Sequence, residues 1–185
     1  MPQRATAETL AVALDFAEGL ETSSPPSSSP RPLRMGYNGM GSSASVNHLH
    51  FQGWTFDSSP TGFLPIELAE TRLLATLACA APPPSDLPDV LEMEGGEASN
   101  LREEMEVHAL VGYPIRGLVY HVSRHDLQEV GAIIAACVDH LVARGTTHTM
   151  LLSTGRVFVL PRKPLKPLPF SAVPGFPELS GEVRV

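Results

Sequence analysis

The stretch NHLHFQGW, residues 47–54, places His48, His50 and Gln52 at every second position with Leu49 and Phe51 between them. A neutral imidazole is a good nucleophile at phosphorus, and with an ordinary pKa of about 6.5 a histidine is largely uncharged at neutral pH. His50, central in the row, is the natural attacking group, and its neighbours can fix its tautomer or hydrogen-bond non-bridging phosphate oxygens. Gln52 donates and accepts hydrogen bonds but is no proton acid, so any leaving group must be stable without protonation. In a β-strand these three side chains share one face while Asn47, Leu49 and Phe51 take the other, and this spacing predicts a strand. Zinc on His48 and His50 is the rival chemistry. Neither CxxC nor HExxH spacing supports it, so the expectation is no metal and no cofactor.

The elements around the row must present it. Residues 4–20 repeat apolar side chains at helical intervals and predict an amphipathic N-terminal helix. LRMGYN reads as a short strand and GMGSS as a turn into the histidine row. IELAETRLLATLACAA has helical apolar spacing up to Pro82. EVHALVGYPIRGLVYHVS predicts one or two strands, and HDLQEVGAIIAACVDHLVARG a long packed helix stopped by Gly145. THTMLLSTGRVFVLPRK predicts a hairpin, and GEVRV a last short strand. Strands and helices mix without βαβ alternation, which favours an α+β fold with a largely antiparallel sheet. Two tracts stand apart as insertions: the Ser/Pro-rich residues 21–32 and the acidic, Pro- and Gly-containing residues 82–104.

With 185 residues, 43% hydrophobic and 18% charged, and a net charge of −7, the chain suits a single domain. That balance argues against nucleic acid or a membrane surface as partner. Cys79 and Cys137, both in apolar segments, read as reduced thiols. No apolar run reaches the roughly 20 residues that span a bilayer, and cytoplasmic localisation is expected. His108, His121, His125, His140 and His148 read as structural or exposed, and Trp54 as core packing.

GYNGMGSSASVNHLHFQGW resembles the motif region of the GDP-L-galactose and GDP-D-glucose phosphorylases, a histidine triad branch whose triad ends in Gln. GYPIRGLVYHVSRHDLQEVGAIIAACVDHLVARGTTHTMLLSTGRVFVLP resembles the strand, helix and hairpin that follow in that family, and FPELSGEV its Glu-x-x-Gly segment at Glu178 and Gly181. The resemblance implies a HIT-like fold and a nucleotidyltransferase. His50 would attack the α-phosphorus of a GDP-hexose, expel hexose 1-phosphate, hold GMP covalently and pass it to inorganic phosphate, as in ascorbate biosynthesis. His48 would orient the nucleophile and Gln52 contact a phosphate oxygen. Asn38 and Asn47 match the family's asparagines flanking the motif, as contacts to phosphate or to the turn. Arg116 and Arg156, with the Arg162/Lys163 pair behind them, are the candidate phosphate-binding cations. Leu68 stands where the family has a lysine, and His148 and Thr149 stand where it has Tyr-Asn. The expected partners are thus GDP-hexose and phosphate, with a homodimer as a further expectation. Because the family proteins are longer, the chain is expected to be shortened at its N-terminus. The alternatives are a non-catalytic homologue that binds nucleotide or a full-length partner, and a HIT-like nucleotide hydrolase.

Overall fold

The computed structural model describes residues 4–22, 33–42, 48–55, 63–79, 103–122 and 126–162. The tracts 23–32 and 80–102, together with Asn47, His125, Lys163 and the FPELSGEV and GEVRV segments, lie outside the described residues. Of the two tracts expected as insertions, residues 21–22 belong to helix α1, Ala7–Thr22, and residues 103–104 to strand β4, Glu103–Leu110.

The fold is α+β. A sheet of seven strands carries two helices on one face. The strands are β1 (Leu33–Asn38), β2 (Gln52–Thr55), β3 (Thr71–Cys79), β4, β5 (Leu118–His121), β6 (Thr147–Ser153) and β7 (Arg156–Arg162), in the order β2-β1-β6-β7-β5-β4-β3. Every pairing among them is antiparallel. The expected hairpin is β6–β7, turning at Thr154 and Gly155.

Helix α2, Leu127–Ala143, forms where the apolar stripe predicted it. The Asp126 carboxylate accepts from the Glu129 amide at 2.9 Å, satisfying one of the donors left open at a helix start. At the other end Gly145 adopts a φ of 66°, and the Thr146 amide donates to the Leu141 carbonyl, closing the last turn. Helix α1 packs on α2, β1 and β6. The two helices meet where Gly131 leaves room for the Ala7 carbonyl, since a Cβ at 131 would stand 2.4 Å from that oxygen.

Alternation along the strands sorts the core into two. Met35, Tyr37, Met105, Val107, Tyr120, Met150, Leu152, Val157 and Val159 face the helices, together with Leu10, Leu14, Val130, Ile134 and Val138. The opposite face holds a smaller cluster of Leu64, Ile66, Val119, Leu151, Phe158 and Leu160, closed by Trp54 and Tyr113. Each such side chain removed from water contributes about 1.5–3 kcal/mol, which makes the helix-side cluster the larger source of stability.

The segment read as a helix from Ile66 to Ala81 is instead a 3-10 turn, Pro65–Leu68, followed by β3. A bulge between Leu73 and Ala75 breaks the two-residue alternation, and both Leu73 and Leu74 are about half exposed. An edge strand with little burial on either face carries no clear period of its own, so eight antiparallel pairs with β4 decide its state.

Candidate functional site

The histidine row is not one continuous strand. β2 begins only at Gln52, which pairs with Gly36, and His48 and His50 lie on the irregular segment leading into it. β2 is an edge strand four residues long, so the backbone before it is free of ladder constraints and turns toward α1. Leu49 and Phe51 pack against the helix-side core as the alternation predicted. Gln52 is exposed and shares the opposite face with Arg34 and Trp54.

His50 lies at a cleft of about 580 Å³ between this segment and the first turns of α1. Its walls are Val12, Ala13, Phe16, Met35, Leu49 and Phe51, with Glu8, Thr9 and His50 as the polar groups. Val12 and Phe16, two of the apolar residues that recur along residues 4–20, are 63% and 55% exposed. They complete the cleft wall, which explains why α1 carries an apolar arc broader than its packed face.

Two contacts orient the imidazoles. His50 Nδ1 lies 3.1 Å from the His48 carbonyl oxygen, and the two rings stand 5.5 Å apart at 60°. A carbonyl only accepts, so Nδ1 carries the proton and donates, which leaves the in-plane lone pair on Nε2. A nucleophilic imidazole needs that tautomer. The orientation comes from the backbone of residue 48, two positions upstream, rather than from its side chain.

Beneath the cleft, Phe51, Tyr37 and His148 form an aromatic run, with Tyr37 centred 5.4 Å from Phe51 and 5.9 Å from His148. His148 is 2% exposed, and neither ring nitrogen has a hydrogen-bond partner among the described residues. Burial pushes its pKa down to about 4. The native state thus holds it neutral while the unfolded chain protonates it near 6.5, so stability falls as the pH drops from about 6.5 to 4. The expected loss across that window is about 3 kcal/mol. His148→Leu is expected to flatten this slope and to leave stability at pH 7 unchanged or raised, as measured by urea unfolding at both ends of the window.

Asn38 and Thr149 occupy the same end of the sheet as His50, on the face away from the helices. The Thr149 hydroxyl donates to Asn38 Oδ1 at 2.9 Å, and Arg162 Nη1 lies 3.4 Å from Thr149 Oγ1. The structure therefore joins Asn38 to Arg162 through Thr149. Arg116 is exposed on the loop between β4 and β5, while three strands separate β5 from β2. At about 4.8 Å per strand, that puts it roughly 19 Å from β2. Arg156 sits at the β6–β7 turn, at the opposite end of the sheet from His50. It donates to the Glu67 carbonyl at 2.9 Å and lies over the Phe158 ring. Of the expected cations, the structure brings neither Arg116 nor Arg156 to the cleft, because the loop after β4 holds Arg116 several strands away and β7 starts with Arg156 at the far end of the sheet.

A buried charged group escaped the sequence reading. Arg34 meets Glu67 through two parallel hydrogen bonds, Nε to Oε1 at 3.1 Å and Nη2 to Oε2 at 2.8 Å. The Leu64 amide at 2.6 Å and the Ser153 hydroxyl also donate to this carboxylate. Both side chains are almost wholly buried, and they tie the 3-10 turn to β1 and β6. The signal was an arginine within the apolar strand LRMGYN, a position that only an internal partner makes tolerable.

No helix among the described residues is long and apolar enough to cross a membrane. Residues 90–184, just over half of the chain, match the family described as GDPGP1-like, C-terminal domain. Two curated relatives are similar. GDP-D-glucose phosphorylase 1 of Xenopus laevis is 23% identical over 123 residues, 66% of this chain and 23% of that protein. GDP-L-galactose phosphorylase 1 of Arabidopsis thaliana is 25% identical over 164 residues, 88% of this chain and 29% of that protein. A match of that length in 185 residues necessarily spans the histidine segment. The chain spans less than a third of the length of either relative. No solved structure matches it significantly. From its β4-to-β7 half, with α2 packed against the sheet, the chain belongs to the GDPGP1-like C-terminal domain family.

Proposed function

We propose that the chain carries out guanylyl transfer in the phosphorolysis of a GDP-hexose, with His50 as nucleophile. Nε2 attacks the α-phosphorus, the bond to the bridging oxygen breaks, and hexose 1-phosphate departs with that electron pair. The guanylyl-histidine then gives its guanylyl group to an oxygen of inorganic phosphate, yielding GDP and the free imidazole. A sugar phosphate leaves as a stable anion, so no protonating group is required where Gln52 stands. The observation that carries this reading is the donation of His50 Nδ1–H to the His48 carbonyl beside a cleft. Its apolar walls suit the flat base of a nucleotide. A HIT-like arrangement of the sheet and residence in the cytoplasm belong to the same proposal.

The test is to incubate the protein with GDP-L-galactose or GDP-D-glucose, with and without phosphate, and to follow hexose 1-phosphate and GDP. Phosphate-dependent formation of both supports phosphorolysis, whereas turnover without phosphate, releasing GMP, identifies a hydrolase. One observation favours a second reading. No arginine or lysine among the described residues lines the cleft, and Glu8 does. A homologue that binds nucleotide without turning it over fits that wall, and calorimetric binding of GDP with no product in either assay would establish it.

A further inference from the structure

The face of the sheet away from the helices carries a second group of chemistry-bearing side chains, separate from the cleft. Glu106 and His108 alternate along β4. The pairing of Val107 with Tyr120 and of His108 with Val119 sets Glu106 opposite His121, the last residue of β5. One donor atom from each of Glu106, His108 and His121 lies within 4.8 Å of the other two. We propose that these three residues bind a divalent transition-metal ion of the zinc class, through one carboxylate oxygen and one ring nitrogen of each histidine.

Four observations carry this. The donor set, two imidazoles and a carboxylate, is one that borderline ions such as Zn²⁺ take with a fourth position left open. Ligand atoms on a tetrahedral ion with bonds of about 2.0–2.1 Å stand about 3.3 Å apart, so the required adjustment is on the order of 1 Å of side-chain rotation. His108 already has the arrangement of an oriented ligand. Its Nε2 lies 2.9 Å from Glu106 Oε2, and its Nδ1 lies 3.1 Å from the Thr71 hydroxyl. On binding, the proton that Nε2 gives to the carboxylate contact moves by way of solvent to Nδ1, and Nδ1–H then donates to the Thr71 oxygen, the outer contact that holds a metal-bound imidazole in place. Finally, His121 Nε2 is buried with no hydrogen-bond partner among the described residues, and its ring stands 4.6 Å from that of His108. A buried acceptor without a partner costs free energy, and coordination removes that cost. The Arg156 charge opposes a cation, and the Glu106 carboxylate offsets it. Glu106 is half exposed, so the open side of the site faces solvent.

The experiment uses the whole chain, stripped with a chelator and titrated with Zn²⁺ by calorimetry, and with Co²⁺ followed by its visible ligand-field bands. One ion per chain is expected. His108→Ala and His121→Ala are each expected to weaken binding about tenfold or more, and Glu106→Gln to weaken it as well. A His48→Ala/His50→Ala double variant is expected to bind as the parent does. Histidine ring ¹⁵N spectra of the unaltered protein serve where a variant does not fold, with the His108 and His121 signals expected to shift on adding Zn²⁺. Absence of stoichiometric binding overturns the site, as does affinity unchanged in His121→Ala, loss of binding in the His48/His50 variant, or ring signals that do not move. None of these outcomes depends on guanylyl transfer.

Discussion

His50→Ala is expected to lower the proposed GDP-hexose phosphorolysis at least about 10³-fold and to eliminate any covalent guanylyl adduct, because among the described residues lining the cleft His50 alone offers a nitrogen that can form the phosphoramidate bond. The measurement is intact-protein mass spectrometry after mixing with GDP-hexose in the absence of phosphate, beside the turnover assay. His48→Ala is expected to do much less. The atom that receives the Nδ1 proton is the backbone carbonyl of residue 48, and alanine retains it. A large gap between the two variants separates a nucleophile from its neighbour. An equal loss in both would assign the imidazole of His48 a direct part, and an adduct that survives in His50→Ala would remove His50 from the mechanism.

The second large effect concerns stability. Glu67→Ala is expected to cost about 3–5 kcal/mol, because it removes the carboxylate that pairs with the buried Arg34 guanidinium through two hydrogen bonds. The Leu64 amide and the Ser153 hydroxyl lose their acceptor at the same time. Arg34→Ala is expected to be similarly severe, whereas replacing both partners with apolar side chains should recover part of the loss. Glu67 also predicts a pH dependence. Burial alone would raise its pKa, but hydrogen bonds from Arg34, Ser153 and Leu64, with the Arg34 charge, outweigh it and hold the carboxyl below its ordinary value. A depressed native pKa contributes stability that is present above about 4.3 and is lost as the pH falls through the lower native value. Urea unfolding between pH 7 and pH 3 should show this loss below the window of His148. Glu67→Gln should reduce the acid-side slope, and an unchanged slope would show that the pair does not titrate with folding.

Both effects depend on residues that were visible in the sequence to different degrees. His50 stood out because three polar nitrogen-bearing side chains alternate with Leu49 and Phe51, a pattern local enough to read directly. Its backing also followed, since Leu49 and Phe51 turn to the helix-side core. The strand drawn through all three polar residues did not form upstream of Gln52, because β2 at the sheet's edge pairs with β1 only from that position on. The same pattern that marked the imidazoles thus could not place them.

Helix α2, the β6–β7 hairpin, β1 and the N-terminal helix were all legible, each from short-range signals: an apolar stripe with a terminal glycine, or apolar runs about a turn. Strand β3 was not, because its bulge and exposure erase the period and its state is set by partners in β4 some thirty residues on. The buried ion pair and the proposed metal site were hidden for the same reason. Arg34 and Glu67 are 33 positions apart, and Ser153 lies 86 beyond Glu67. Glu106 and His108 meet His121 only through the register of two strands. Local periodicity reports what a residue's own element will be and which side of it is apolar. Which polar groups then share a buried space depends on strand order and register, and those are settled by packing between segments distant along the chain.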